Sequence, residues 1–173
     1  MRQQETEKAW FTGQVVRCQA DLFRVARSIL KTDEDAEDAV QEAILSAYDR
    51  LHLLRQRESF KPWLLRILVN QCYDVCRRTH ATVELSGVEE TLPAPEPDRT
   101  EALSLWQAVG QLSRDLRVTV VLFYYEDYSI RQISEVLGLS QDAVKARLHR
   151  ARQRLKQLLR EEGGTGNAGS FIG

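Results

Sequence analysis

The ionisable side chains of this 173-residue chain are sorted by sign into separate segments, although its formal net charge is only −1. Residues 141–160 carry seven basic residues and one acidic residue, a net charge of +6, and residues 55–80 carry a net charge of +4. Residues 31–50 carry seven acidic and two basic residues, a net charge of −5. Clustered cations attract nucleic acid, and clustered carboxylates suit a basic protein surface. The pattern therefore predicts two nucleic-acid contacts and one contact with a basic protein.

Cys72, Cys76 and His80 follow one another at four-residue steps and are the candidate metal ligands of the sequence. Zinc sites need a fourth ligand and a supporting second shell, and neither is visible here. Together with Cys18, the cysteines form an odd and sparse set, which indicates reduced, inert thiols. We therefore predict no metal and no cofactor. Because the sequence also shows no activated nucleophile and no phosphate-binding loop, we predict no catalytic residues and no small-molecule substrate.

Composition and hydropathy place the chain among folded proteins without a membrane span. Hydrophobic residues make up 43% and charged residues 28% of the sequence, which leaves enough apolar surface for a packed core. No stretch approaches the roughly eighteen uninterrupted apolar residues of a membrane span, and the N-terminus MRQQETEKAW is polar where a signal peptide is apolar. We therefore expect a cytoplasmic protein.

Apolar residues recur at three- and four-residue steps in both halves of the chain, which predicts an all-α fold. Thr32 is placed to cap a new helix after a break in the first half. Pro62 is tolerated in the first turn of a third helix from about 59 to 79. The β-prone run VTVVLFYY at 118–125 lies between helical segments and keeps their spacing, so we predict a buried helix there.

An acidic, proline-containing segment at residues 81–100 divides the chain into two small helical domains. Three of the four prolines lie in it, with five acidic residues and one basic residue. Such a composition is typical of an extended, flexible linker. We predict an N-terminal helical bundle at 10–80, a C-terminal helix-turn-helix domain at 101–160, and a disordered tail at 161–173.

The C-terminal domain carries the signals of a helix-turn-helix. Ser129 and Gln132 have the spacing of a capping box, and Gly138 stands where a left-handed residue ends a helix. Ser140 is placed to cap a second helix that runs to about Leu159. On a helical wheel this second helix has an apolar seam for the core, formed by Val144, Leu148, Ala151 and Leu155. The second helix of such a motif lies in the major groove of DNA.

The far side of that helix presents side chains suited to base edges and phosphates. The far side carries Asp142, Ala146, His149, Arg150 and Gln153, flanked by Lys145 and Arg147. Those of its residues that lie in the first turns are placed to reach base edges. Arg152 and Arg154 are placed to meet phosphate. A solvated basic face without a ligand is the alternative, but the coincidence of caps, seam and donors favours DNA binding.

The predicted helix from about residue 59 interleaves aromatic rings with cations. Its members are Phe60, Trp63 and Tyr73 with Lys61, Arg66, Arg77 and Arg78, and it also carries the amide of Asn70. This mixture suits single-stranded or unstacked bases, which bind by stacking and by hydrogen bonds to their exposed edges. Trp63 also has core spacing, so a core anchor is the alternative for that residue.

Three strings in the chain resemble bacterial sigma factors of the extracytoplasmic-function group. DAEDAVQEAILSAY at 35–48 is similar to the family's core-binding segment, and FKPWLLRILVNQCYDVCRR at 60–78 is similar to its promoter-melting and minus-ten helix. YSIRQISEVLGLSQDAVKARLHRARQRL at 128–155 is similar to its minus-thirty-five reader. The resemblance implies a transcription initiation factor that binds core RNA polymerase and directs it to promoter DNA. It also implies an anti-sigma factor as a partner.

The resemblance also implies roles for individual residues. Those matched to the polymerase contact are Asp35, Asp38, Gln41 and Glu42. Those matched to the minus-ten element are Trp63, Arg66, Asn70, Arg77 and Arg78. Of these, Asn70 is expected to line a pocket for an extruded base. The loop from about His52 to Ser59 corresponds to the family's specificity loop. Those matched to the minus-thirty-five element are Ser140, Lys145, Ala146, Arg147, His149 and Arg150.

Two departures from the family pattern bear on specificity. Ala146 replaces a small hydroxyl residue found in many relatives and His149 occupies a variable position, so the minus-thirty-five sequence does not carry over. Pro62, Cys72 and Cys76 are unusual in the melting helix. Two other functions fit parts of the chain: a dimeric helix-turn-helix regulator explains only the C-terminal third, and a helical adaptor explains the basic face alone.

Overall fold

The computed structural model describes residues 1–86 and 101–162, and every regular element in these ranges is helical. The elements are α1 (Arg2–Ile29), α2 (Asp33–Asp49), α3 (Phe60–Ser86), α4 (Glu101–Gly110), α5 (Arg114–Val120), α6 (Ile130–Leu137) and α7 (Gln141–Glu162). Short 3-10 turns lie at Leu51–Leu53 and Arg57–Ser59, and a π-helical segment lies at Val121–Tyr125. The predicted all-α class is therefore confirmed.

The chain divides into two compact units. The first contains α1, α2 and α3, which pack against one another in all three pairings. The second contains α4, α5 and α7 together with the start of α6, and in it α7 packs against both α4 and α5. Within the described residues, no helix combines the length and the apolar character that crossing a membrane requires.

The core of the N-terminal domain is formed by one apolar stripe from each of its three helices. The side chains involved are almost wholly buried; they include Leu22, Val25 and Ile29 of α1, Ala36, Ala39, Val40, Ala43 and Ala47 of α2, and Leu64, Leu65, Leu68 and Val69 of α3. The small alanines of α2 let this helix pack closely against its neighbours. The opposite side of α2 therefore faces solvent.

The break between α1 and α2 lies where the sequence predicts it. Leu30 leaves the helical conformation with φ −96° and ψ 151°. Thr32 then caps α2, because its hydroxyl oxygen accepts a hydrogen bond from the Asp35 amide at 3.1 Å. Asp33, Glu34 and Asp35 fill the first turn of α2, where negative charge is stabilised by the helix dipole.

Two helices are longer than the sequence predicts. The first begins at Arg2, before the predicted domain boundary at residue 10, and α3 runs to Ser86 instead of about 79. The predicted linker at 81–100 therefore begins with helix. No proline or glycine interrupts the sequence between Pro62 and Ser86, and Gly87 follows. The rest of the predicted linker and the predicted tail from residue 163 lie outside the described residues.

The run at 118–125 is helical as predicted, and its conformation changes within it. Val118, Val120, Val121 and Leu122 are buried, and the ordinary helix gives way to a π-helical segment at Val121. There the amide of Glu126 donates to the carbonyl of Val121 at 3.1 Å, a five-residue step. Burial among other helices thus overrides the β propensity of these residues.

Candidate functional site

The outer side of α2 forms an exposed acidic face, defined by Asp35, Asp38, Gln41 and Glu42. All four side chains are exposed, as the sequence predicts. The spacing of three, four and seven residues between them places them on one side of the helix, opposite the buried alanines. This face offers carboxylates and an amide to a partner without disturbing the core.

The acidic face continues into an apolar residue that the sequence analysis missed. Leu45 lies three residues beyond Glu42 and is 62% exposed. Tyr48 follows at 45% exposure. The sequence did contain a signal for this exposure, because Leu45 is out of phase with the buried apolar stripe of α2. The exposed side of α2 therefore joins a charged first half to an apolar second half.

Four of the five residues predicted for the minus-ten element share one side of α3. Trp63, Arg66, Asn70 and Arg77 fall within a narrow sector at about 100° per residue. The side chains of Arg66, Asn70 and Arg77 are exposed, and Trp63 is half-buried, with its ring 6.1 Å from that of Phe60. Trp63 therefore has both the packing and the accessibility that the sequence left as alternatives.

The fifth residue, Arg78, lies on a different side of α3. It lines an open groove of about 660 Å³ between α2 and α3, together with Asp38 and Glu42 of the acidic face. The neighbouring Arg77 instead forms an ion pair with Asp74. The sequence analysis did not single out Asp74, although its position three residues before Arg77 on a helix predicts this ion pair. The two adjacent arginines therefore face different surroundings.

The cysteine and histidine set on α3 does not share one environment, since Cys72 is buried, Cys76 is half-buried and His80 is exposed. Burial, together with the nearby Cys76 thiol, raises the pKa of Cys72 to about 12, so this thiol stays protonated at neutral pH. The sulfur of Cys76 lies 3.9 Å from the carbonyl oxygen of Ile29, toward which it donates. His80 is exposed. Among the described residues, no group of three or more histidine, cysteine or acidic side chains is arranged to hold a metal ion.

The predicted helix-turn-helix forms with the predicted caps. The hydroxyl of Ser129 accepts from the Gln132 amide at 3.2 Å, and the Gln132 side-chain oxygen accepts from the Ser129 amide at 2.9 Å. Gly138 has φ +66°, which glycine adopts without steric cost. The Ser140 hydroxyl accepts from the Ala143 amide at 3.1 Å and begins α7. The turn is therefore fixed by local hydrogen bonds and one left-handed residue.

The apolar seam of α7 is buried as predicted, which fixes the outer side of this helix. Val144, Leu148, Ala151 and Leu155 are each at most 4% exposed. Lys145, Ala146, His149 and Arg150 are exposed and define the outer face of α7, with Ser140 exposed at its start. The helix dipole adds positive potential at this first turn. The outer face of α7 therefore offers hydrogen-bond donors and the methyl group of Ala146 to base edges in a nucleic-acid groove.

Arg147 and Arg152 of α7 have partners on other elements of their own domain. Arg147 is only 18% exposed and its guanidinium lies 3.8 Å from a carboxylate oxygen of Asp115. The Nε of Arg152 donates to the Tyr124 hydroxyl at 2.9 Å, and its guanidinium lies 5.8 Å from the centre of the Phe123 ring. The structure thus separates Arg147 from the other residues predicted to contact the minus-thirty-five element.

Comparison with known proteins agrees with this arrangement of two domains. Residues 15–82 match the family model for sigma-70 region 2, and residues 102–155 match the model for sigma-70 region 4. The ECF RNA polymerase sigma factor SigM of Mycobacterium tuberculosis is 38% identical over 144 residues, which cover 80% of this chain and 71% of SigM. The chain belongs to this family. It is an extracytoplasmic-function (ECF) sigma factor and thus a transcription initiation factor.

Other relatives and solved structures cover more of the molecule. The RNA polymerase sigma factor SigV of Bacillus subtilis is 29% identical over 164 residues, 94% of this sigma factor and 99% of SigV. The sigma factor RpoE of Bartonella quintana, solved with the anti-sigma factor NepR, superposes with a TM-score of 0.77 at 25% identity, over 88% of this chain and 98% of RpoE. CnrH, solved with the cytosolic domain of CnrY, gives a TM-score of 0.65 at 29% identity, over 88% and 89% of the two chains. The match to region 2 disfavours a stand-alone helix-turn-helix regulator.

Proposed function

We propose that this sigma factor divides promoter recognition among its three charged surfaces. The acidic face of α2 binds core RNA polymerase, the exposed side of α3 holds the minus-ten element, and the outer face of α7 reads the minus-thirty-five element. The observation that carries the proposal is that each surface is exposed and lies opposite a buried apolar stripe of its own helix. No surface has to be uncovered by unfolding its helix. The predicted domain limits, 10–80 and 101–160, are part of this proposal.

The acidic face suits a basic protein surface in both charge and shape. Asp38, Gln41 and Glu42 lie on a helix whose opposite side is packed with small residues, so their backbone is rigid. Opposite charges across an interface speed association and fix its register. Leu45 beside them supplies apolar area, which adds affinity once the charges have oriented the partners. We infer that these four residues form one contact.

On α3, the side chains suit a strand whose bases have been separated. Taking a base out of the duplex costs a few kcal/mol of stacking and pairing. Asn70 has donor and acceptor groups for the edge of such a base, Trp63 has an accessible part of its ring for stacking, and Arg66 is placed to neutralise a phosphate. Holding extruded bases in this way offsets the cost of opening without covalent chemistry, so we expect no catalytic activity.

On α7, the side chains suit the major groove of a duplex. Arg150 has the fork of donors that pairs with guanine, Lys145 and His149 flank it, and Ala146 offers a methyl group for contact with thymine. Because Arg147 is already paired with Asp115, we infer that it supports the helix more than it contacts phosphate.

We further propose that an anti-sigma factor regulates this protein in the cytoplasm. RpoE was solved with an anti-sigma factor and CnrH with the cytosolic domain of CnrY, and both superpose over 88% of this chain. A partner that covers the acidic face would compete directly with polymerase for the same carboxylates. The competing partner is then expected to offer a basic or amphipathic surface.

Reconstitution with purified core RNA polymerase tests the proposal. We expect a complex of one sigma factor to one core enzyme, and promoter-dependent transcription from a library of promoter fragments that core enzyme alone does not transcribe. Absence of a stoichiometric complex, together with tight duplex binding by the sigma factor alone, would contradict the proposal and favour the dimeric regulator. Transcription that does not depend on the chain would favour a helical adaptor.

A further inference from the structure

The first part of α1 reaches the loop that connects α2 to α3. Trp10 and Phe11 lie before residue 15, where the match to region 2 begins. Phe11 is 5% exposed. Its ring packs edge-on against Tyr48 near the end of α2, with centroids 5.2 Å apart, and against Phe60 at the start of α3, with centroids 5.5 Å apart. Phe11 therefore fixes both ends of the loop.

Trp10 holds the interior of the same loop. Its ring packs edge-on against Phe60 at 5.3 Å, and the guanidinium of Arg57 lies 4.6 Å from the centre of the Trp10 ring. Arg57 is exposed and begins the 3-10 turn Arg57–Ser59, in which the Ser59 amide donates to the Gln56 carbonyl at 3.1 Å. A cation over the face of tryptophan is the strongest pairing of this kind.

The rest of the loop has little structure of its own to fix it. A second 3-10 turn covers Leu51–Leu53, and residues 54–56 between the two turns have no regular conformation. Every residue of the loop at 52–59 except Leu54 is exposed, including His52, Leu53 and Arg55. A loop that must meet a ligand binds more selectively when it is held in one conformation beforehand. Trp10 supplies such a restraint from a neighbouring helix.

We propose that Trp10 is a positioning residue for minus-ten recognition, because it holds Arg57 and thereby sets the conformation in which the loop meets an extruded base. This inference rests on the proposed function, in which the loop at 52–59 and Asn70 recognise the minus-ten element. It adds a determinant that lies outside the segment matched to region 2. The base preference of this sigma factor then depends on its own N-terminal helix.

The test uses the full chain bound to core polymerase and a set of promoters that differ only at the minus-ten base. The variants are Trp10→Ala, Trp10→Phe, Arg57→Gln and the double variant that combines Trp10→Ala with Arg57→Gln. Val16→Ala is the control, because Val16 lies on the same helix and is 65% exposed. The ratio of transcripts from the best promoter to those from its single-base variants is measured for each protein. Core affinity and thermal unfolding are measured in parallel.

We expect Trp10→Ala to lower the transcript ratio by about two- to fivefold, the size of one exposed cation–π contact, with core affinity unchanged. Trp10→Phe should restore most of the ratio, since it keeps an aromatic face. Arg57→Gln should match Trp10→Ala, and the double variant should add nothing further. A lower melting temperature alone would not produce this pattern.

An unchanged ratio in both Trp10→Ala and Arg57→Gln would overturn the inference. If Trp10→Ala does not fold, an unchanged ratio in Arg57→Gln still overturns the inference, because the Arg57 side chain is exposed and outside the core. Failure of the wild-type protein to direct transcription from any promoter is a different result, and it would overturn the proposed function itself.

Discussion

The helices α2 and α7 are built in the same way but differ in how many of their charged side chains pair with groups of the protein itself. Both helices begin with a hydroxyl cap and bury an apolar stripe. On α2, Asp33 is paired with Arg27, while the side chains of Asp38, Gln41 and Glu42 are exposed. On α7, Arg147 is paired with Asp115 and Arg152 with Tyr124. The charge of a segment therefore overstates the number of side chains free to meet a partner, and more so for α7.

The largest effect should follow from reversing a charge on α2. We expect Asp38→Arg to weaken core binding by at least 2–5 kcal/mol, because it places like charges against a basic partner surface. Glu37→Arg is the control, since Glu37 is equally exposed but lies about 100° around the same helix. Affinity is measured by titrating labelled sigma factor with core enzyme. Equal losses in both variants would mean that net charge matters and the face does not.

On α7, one substitution should separate base reading from phosphate binding. We expect Arg150→Ala to cost about 1–3 kcal/mol of discrimination between the best promoter and its minus-thirty-five variants. Arg154→Ala should weaken all promoters alike and lower the salt dependence of binding by about one unit of slope. Competition binding of the holoenzyme at several salt concentrations measures both. Unchanged discrimination in Arg150→Ala would place this residue among the phosphate contacts.

Gly138 before α7 and Gly13 in α1 both have room for a side chain, but only Gly138 has a positive φ. A Cβ added at Gly138 or at Gly13 would meet no atom within 4 Å. Gly138 has φ +66°, so we expect Gly138→Ala to destabilise the start of α7 by about 1–2 kcal/mol. Gly13 lies inside α1, and Gly13→Ala should stabilise that helix by about 0.5–1 kcal/mol. Urea denaturation measures both changes, and shifts of the same sign would contradict the assignment.

The last prediction concerns the ion pair that ties α1 to α3. The Lys61 ammonium donates to Asp21 at 2.7 Å, and Arg24 donates to the same carboxylate at 3.1 Å. Burial, the largest single influence, would raise the pKa of Asp21, but Lys61 and Arg24 together hold it below its usual value. Because the pKa of Asp21 is lower in the folded state than in the unfolded state, its ionisation stabilises the fold at pH values above the unfolded pKa of about 3.9. This contribution is lost as the pH falls through the folded pKa.

We therefore expect Asp21→Asn to destabilise the N-terminal domain by about 1 kcal/mol at pH 7, a partly exposed pair being screened by solvent. The difference from wild type should vanish below the folded pKa. Urea denaturation is followed by fluorescence in a Trp106→Phe background, where both remaining tryptophans lie in the N-terminal domain. An offset of equal size at pH 3 and pH 7 would contradict the role of ionisation.

Most of the fold was predictable from local patterns. The break at Thr32, the capping box at Ser129 and the left-handed residue at Gly138 all depend on residues within one helical turn of each other, so their signals are complete in the sequence. The seam of α7 was predictable for the same reason, since a helix repeats every 3.6 residues. The lengths of α1 and α3 were not, because residues without strong stop signals leave a helix end undetermined.

The helical type of the elements is encoded locally, in the apolar periodicity of both halves, in the caps at Thr32, Ser129 and Ser140, and in charges sorted by segment. Which charged side chains stay exposed is set by the packing of the folded domains. The pairing of Arg147 with Asp115 joins residues on different helices, and the stacking of Arg57 on Trp10 joins a loop to a helix 47 positions earlier in the chain. Such pairings depend on how the helices pack, because the distance between side chains on different elements is not encoded by spacing along the chain.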